Sequence, residues 1–181
     1  MGFNEDNKLA CKKELHDSFD VFYKKKFGKN IKIHRFDKNK RCQMIFGTDV
    51  VVELENGIKL SIDEKIRRYK FKDYSTYPIE LLSNSKPNYE KKGWLYTCLA
   101  QYICFGTANK DENSIIDVFM FPLSWALKNS ILRNKKNYKQ VLVNNGKYNQ
   151  TIVAVISKIE LIKLCGEDNC YQATLEEVRE K

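Results

Sequence analysis

Three side chains in one stretch of the chain, Asp49, Asp63 and Lys65, have the types and spacing for metal-assisted chemistry on a phosphate. They lie in "GTDVVVELENGIKLSIDEKIR", where two apolar runs flank Asn56-Gly57. A two-residue turn would pair Leu54 with Lys59 and mix apolar with polar residues on both faces. A three-residue turn, Glu55-Asn56-Gly57 with Gly57 in the left-handed conformation, pairs Leu54 with Ile58. Val50, Val52, Leu54, Ile58, Leu60 and Ile62 then share one face, and Asp49, Val51, Glu53, Lys59, Ser61, Asp63 and Lys65 share the other. A one-residue slip exchanges the faces, so the cleaner partition selects the three-residue turn. In that register Asp49 stands directly opposite Asp63. Facing like charges destabilise a sheet, whereas Mg²⁺ takes one or two carboxylates together with water and a substrate phosphate. Lys65 projects from the same face about 6–7 Å further along the strand. There it can orient a metal-held water, help to deprotonate it, or stabilise charge on the phosphate.

The same residues also suit a solvated face on which Lys65 neutralises two aspartates. Asp/Glu-x-Lys recurs at Asp6-Asn7-Lys8 and Glu90-Lys91-Lys92. Only Asp63-Glu64-Lys65 falls on a strand whose hairpin partner begins with Asp. Glu64 lands on the apolar face, which places it at the sheet's end or beside a neighbour such as Arg67.

Around this hairpin, Leu9 to Phe27 reads as a helix with Leu15, Phe19 and Phe22 on its buried face and Gly28 as its stop. Ile31 to Phe36 and Arg41 to Phe46 read as strands, as does Tyr77 to Leu82. Ser83 to Gly93 reads as loop. The apolar run Trp94 to Phe105 predicts a buried helix, and Ile115 to Phe121 a strand. Pro122 is expected to open a helix that reaches Arg133. "QVLVNNG" and "QTIVAVI" predict a late hairpin before the charged stretch Glu176 to Lys181. The order is that of a mixed α/β fold, expected as a single domain over residues 1–181.

Composition sets the outer limits. The chain has 181 residues, 43% hydrophobic and 12% aromatic, with a formal net charge of +9. A basic excess of this size favours a polyanionic partner, foremost nucleic acid, although a Lys- and Asn-rich coding bias yields the same number. No apolar run approaches the roughly 20 residues that span a bilayer, and the charged N-terminus lacks a signal peptide's apolar core. The expected location is cytoplasmic, with no membrane partner. The six cysteines include no Cys-x-x-Cys pair. Reduced thiols are expected there, and "CGEDNC" supplies only half a zinc site. No Cys-His pair stands out as a nucleophile.

An Asp, a hairpin and then Asp-x-Lys resembles the PD-(D/E)XK, or restriction-endonuclease-like, nuclease superfamily. The resemblance implies a core of helix, three-stranded antiparallel meander, helix and strand. Here these would be the N-terminal helix, strands near 41–46, 49–54 and 58–67, the helix at 94–105 and the strand at 115–121. Asp49 matches the first motif aspartate, Asp63 the second acidic position and Lys65 the lysine. Thr48 stands where the family usually has proline. The run through "YPIELLSN", "GWL" and "MFPLSWALKN" is also similar to uncharacterised bacterial and phage proteins over about residues 15–135. The resemblance implies Mg²⁺- or Mn²⁺-dependent hydrolysis of DNA, with Asp49 and Asp63 holding the metal. Members often add an acidic group from the first helix, for which Glu14 and Asp20 are both available. Glu80 and Gln101 are further accessory candidates. Cutting both strands would suit a homodimer, by analogy with the fold.

For nucleic acid, the cations near the motif are Lys59, Arg67, Arg68, Lys70 and Lys72. "KIRRYKFKDY" interleaves them with Tyr69 and Phe71, whose rings could stack on unpaired bases. "LRNKKNYKQ" is a second basic strip. The contrasting expectation is a non-catalytic nucleic-acid- or partner-binding protein on the same fold. It predicts binding with steep salt dependence and no need for metal.

Overall fold

The molecule is arranged around one strand, β3 (Lys59–Arg67). The computed structural model describes residues 9, 12–36, 47–86, 88–144 and 150–174. Within them β3 pairs antiparallel with β2 (Val50–Glu53) and parallel with β6 (Tyr102–Ala108). β1 (Lys32–Arg35), β7 (Ile115–Pro122) and β10 (Tyr171–Thr174) complete a six-stranded mixed sheet in the order β1-β2-β3-β6-β7-β10. A second, antiparallel sheet has the order β5-β4-β9-β8. It contains β4 (Thr76–Asn84), β5 (Lys91–Lys92), β8 (Lys139–Asn144) and β9 (Gln150–Ser157).

The described α-helices are α1 (Lys13–Phe27), α2 (Trp94–Thr97), α3 (Trp125–Arg133) and α4 (Lys158–Cys165). None is long and apolar enough to cross a membrane. α1 buries Leu15, Phe19, Phe22 and Tyr23 against the sheet face carrying Val50, Val52, Ile62, Cys104 and Met120. Gly28 ends it at φ +112, its N–H returning to the Lys24 carbonyl. The opposite sheet face carries Ile103, Phe105, Phe119 and Phe121, covered by Tyr77, Ile79 and Leu81 of β4 and Ala154 and Ile156 of β9. Leu127, Ile131 and Leu161 of α3 and α4 extend this second core. Each such side chain contributes about 1.5–3 kcal/mol by leaving water, and the Tyr77 ring sits 4.8 Å from Phe105 and 4.9 Å from Phe119.

The hairpin takes the three-residue turn. Leu54 N–H donates to the Ile58 carbonyl at 2.8 Å, Gly57 has φ +81, and Val50 pairs with Ile62. The late hairpin forms as β8 and β9. The strand expected at Arg41 to Phe46 and the tail Glu176 to Lys181 lie outside the described residues; the edge of β2 that the expected meander gave to 41–46 is paired with β1.

Three expectations are corrected. Ser83 to Gly93 is not all loop: β4 runs on to Asn84, and Lys91–Lys92 return beside it as β5. Trp94 to Phe105 is not one helix: only Trp94–Thr97 is helical, and the rest enters β6. β6 is buried on both faces between a parallel and an antiparallel neighbour. Such a strand is continuously apolar and lacks the alternation that would distinguish it from a buried helix. Pro122 does not open α3 but closes β7; Ser124 is the N-cap, its hydroxyl accepting from Leu127 N–H.

Candidate functional site

Asp49 and Asp63 face one another because the β2–β3 register, Val50 opposite Ile62, continues one residue outward. The Asp49 backbone is fixed from both sides: its N–H donates to the Ile62 carbonyl at 3.0 Å, and its carbonyl accepts from Phe36 N–H at 2.8 Å. Its Oδ2 accepts from Glu64 N–H at 2.8 Å. Asp63, 4% exposed, lies at the middle of β3 beside Ile103 of β6. Lys65 Nζ reaches both of its oxygens, at 2.9 and 2.8 Å. The same ammonium lies 5.7 Å from the Trp94 ring centroid.

Gly47, Trp94, Thr97 and Cys98 join these three residues around a cleft of about 260 Å³. Trp94 and Thr97 come from α2, and Cys98 follows at its end. Cys98 Sγ donates to the Gly47 carbonyl at 3.2 Å and lies 3.7 Å from Asp63 Oδ2. A larger cavity of about 490 Å³ lies elsewhere, between Phe22, Lys25 and Lys26 of α1 and the β10 region, and contains no carboxylate.

The charges in the cleft are coupled. Burial pushes the Asp63 carboxyl up to about 7; Lys65 opposes this and Asp49 reinforces it. Burial disfavours the Lys65 ammonium, yet Asp63 and Asp49 outweigh it and hold the group above the ordinary lysine range. Lys65 is therefore a cation at neutral pH and a poor base. Burial raises the Cys98 thiol to about 12, which removes it as a thiolate nucleophile. Among the described residues no group of three or more His, Cys, Asp and Glu side chains converges as a metal cage. The cleft instead offers two carboxylates, hard oxygen donors with room for water beside them.

The other expected residues divide. Glu80 comes close: it is half-buried, its Oε1 accepts from Trp94 N–H at 3.2 Å, and burial raises its carboxyl while Lys65 counteracts. Gln101 is not helical. It stands just before β6, and its Oε1 accepts from Ser61 N–H at 2.9 Å, tying β3 to β6. Glu14 is exposed on α1, which covers the opposite face of the sheet. Asp20, also on α1, takes a hydrogen bond from Arg35.

Glu64 is neither at the sheet's end nor paired with Arg67. Its side chain, 1% exposed, accepts from Tyr23 Oη at 3.0 Å and Arg35 at 3.0 Å, and lies 2.8 Å from His16 Nδ1. Consecutive residues of β3 thus serve opposite faces, with Asp63 in the cleft and Glu64 in a buried ionic network.

Arg67 is not available to phosphate. It is buried over the Tyr77 ring at 4.5 Å and donates to the carbonyls of Tyr74 and Thr76 and to Thr107 Oγ1. Lys59 is exposed on the hairpin, 3.5 Å from Glu53. Lys70 and Lys72 are exposed on a 3₁₀ turn after β3, not on a strand end, and Arg68 precedes them. The strip Leu132 to Gln140 runs from the end of α3 through a 3₁₀ turn into β8, with Lys135, Lys136 and Lys139 exposed. Sequence reasoning missed Trp94, Thr97, Cys98 and Gly47 as cleft walls. They carry no charge pattern, and the helix expected at 94–105 would have placed them differently. Comparison with known proteins finds no match: no family model, no curated protein and no solved structure corresponds to the chain.

Proposed function

We propose that the chain is a divalent-cation-dependent nuclease with a restriction-endonuclease-like core, hydrolysing phosphodiester bonds in DNA. The observation that carries this reading is the pair of facing carboxylates, Asp49 and Asp63, with the Lys65 ammonium in one cleft. The antiparallel β1–β2–β3 arrangement agrees with it. The link from β3 to β6 departs from the family pattern, since it carries β4, β5 and the short α2 in place of one long helix. Asp49 and Asp63 would hold Mg²⁺ or Mn²⁺, which supplies a Lewis acid for the phosphate and a more acidic water. Lys65, held as a cation, contributes positive charge beside the phosphate and orients water by donating a hydrogen bond. In hydrolysis a water oxygen forms the new P–O bond as the bond to the leaving oxygen breaks, and that oxygen takes up a proton.

The test is cleavage of supercoiled plasmid, linear duplex and single-stranded DNA with Mg²⁺, Mn²⁺ or EDTA. Wild type should cut only with metal, and Asp63→Ala should lose cutting while keeping its fold. Loss of folding in that variant would assign Asp63 a structural role. The second reading, a non-catalytic nucleic-acid-binding protein, draws on the Lys65–Asp63 ion pair, which already partners Asp63 without a metal. It requires binding that EDTA leaves untouched and no cutting by folded wild type.

A further inference from the structure

The segment joining β3 to β4 exposes aromatic rings on a fixed backbone. Phe71 is 41% and Tyr74 60% exposed, their rings edge to face at 5.9 Å. Lys70 Nζ lies 4.8 Å from the Phe71 centroid, and Lys72 Nζ lies 4.7 Å from that of Tyr69 while donating to its hydroxyl at 3.0 Å. The turn is held internally: Phe71 N–H donates to the Arg68 carbonyl, Lys72 N–H to Tyr69 and Tyr74 N–H to Phe71. It is also held from outside. The buried Arg67 guanidinium donates to the Tyr74 and Thr76 carbonyls, each at 3.2 Å, and Lys158 N–H donates to the Ser75 carbonyl at 2.7 Å. Two exposed aromatics on such a frame lose little entropy when a flat ligand stacks on them.

Charge selects the ligand. Arg68, Lys70 and Lys72 stand against Asp73 alone in residues 68–74, within a chain of net charge +9. Cations beside exposed rings match a phosphate backbone carrying bases whose faces are open, as in a single strand. A duplex presents its phosphates but keeps its bases stacked. The turn also follows β3 directly: the strand ends at Arg67, about 7 Å by strand rise beyond Lys65, and the turn begins at Tyr69.

We infer that residues 68–74 form a stacking platform for the unpaired bases of a single-stranded nucleic acid. This deepens the nuclease reading and rests on it in assigning the platform's ligand as substrate.

The test is anisotropy titration in EDTA with fluorescein-labelled oligothymidylate and oligouridylate of about 12 nucleotides, beside a blunt duplex of equal length. Wild type should bind single strands more tightly than duplex. Phe71→Ala and Tyr74→Ala should each weaken single-strand binding roughly tenfold, leave duplex binding unchanged and keep the wild-type melting temperature. The ratio of the two oligonucleotides separates DNA from RNA. Aromatic variants that bind single strands like wild type, or a wild type that prefers duplex, would overturn the platform. Because these titrations omit metal, metal-dependent cutting with no effect of Phe71 or Tyr74 on binding removes the platform alone. Binding through both rings without any cutting removes the nuclease reading alone.

Discussion

Asp63 carries a proton nearer to neutrality than an ordinary aspartate because burial and Asp49 together outweigh Lys65. Its carboxyl is raised in the folded protein, so between about pH 4 and 7 the native state holds more protons than the unfolded chain. The resulting stability is present below the unfolded value and is lost as pH rises through about 7. In metal-free buffer, wild type should therefore lose melting temperature relative to Asp63→Asn between pH 5 and pH 8, as followed by circular dichroism. A constant offset between the two would contradict the protonation. On the proposed nuclease reading, a cation held by Asp49 and Asp63 would displace this proton, so the apparent Mg²⁺ affinity measured by calorimetry should rise with pH and level off above about 7. Asp49 and Asp63 were legible in the sequence because pairing register is a local property of the hairpin. The raised carboxyl was not, since it depends on how deeply α2, Cys98 and the segment at Gly47 bury the pair.

At the scale of elements, β3 does two things in adjacent residues. Glu64 anchors Arg35, Tyr23 and His16 on one face, while its own N–H holds Asp49 on the other. Removing one member of a buried ionic group leaves an unpaired charge and costs about 3–5 kcal/mol. Glu64→Ala should lower unfolding free energy by that amount in urea, with Glu64→Gln retaining part of it. Gly93 presents a steric case. A Cβ there would sit 2.5 Å from the Glu80 carbonyl oxygen, which belongs to backbone and cannot rotate away. Gly93→Ala should cost about 1–3 kcal/mol in the same assay and displace Trp94 from the cleft. Neither role could be read from the sequence. The partners of Glu64 lie 48, 41 and 29 residues away, and the closeness of Gly93 to Glu80 arises only when β4 and α2 pack. The misread helix at 94–105 has a related cause: a strand covered on both faces has no polar side to reveal its period.

Across the whole molecule, the positive charge is spread over surfaces that the local sequence did not distinguish. Arg67 reads as one cation of a basic strip, yet it is buried as the peg that holds the turn after β3. Lys70 and Lys72, its near neighbours, remain exposed. The logarithm of single-strand affinity in EDTA should fall linearly against the logarithm of salt concentration, with a slope of roughly 0.7 for each phosphate neutralised. Lys72→Ala should reduce that slope by about one such contact, as read from titrations over a salt series. A slope near zero would mean that the net charge of +9 does not serve nucleic-acid binding.

The position of β3 has a consequence for motion. It is paired along both edges, with α1 over one face and the cleft on the other, beside the core that the four-stranded sheet covers. Amides in such a strand exchange with deuterated solvent only when much of the molecule opens, so 62–66 should be among the slowest peptides to label. The strand carrying Asp63 and Lys65 then behaves as a fixed rail. Any adjustment of the cleft to what enters it must come from the walls, the short α2 and the segment at Gly47, which should label first.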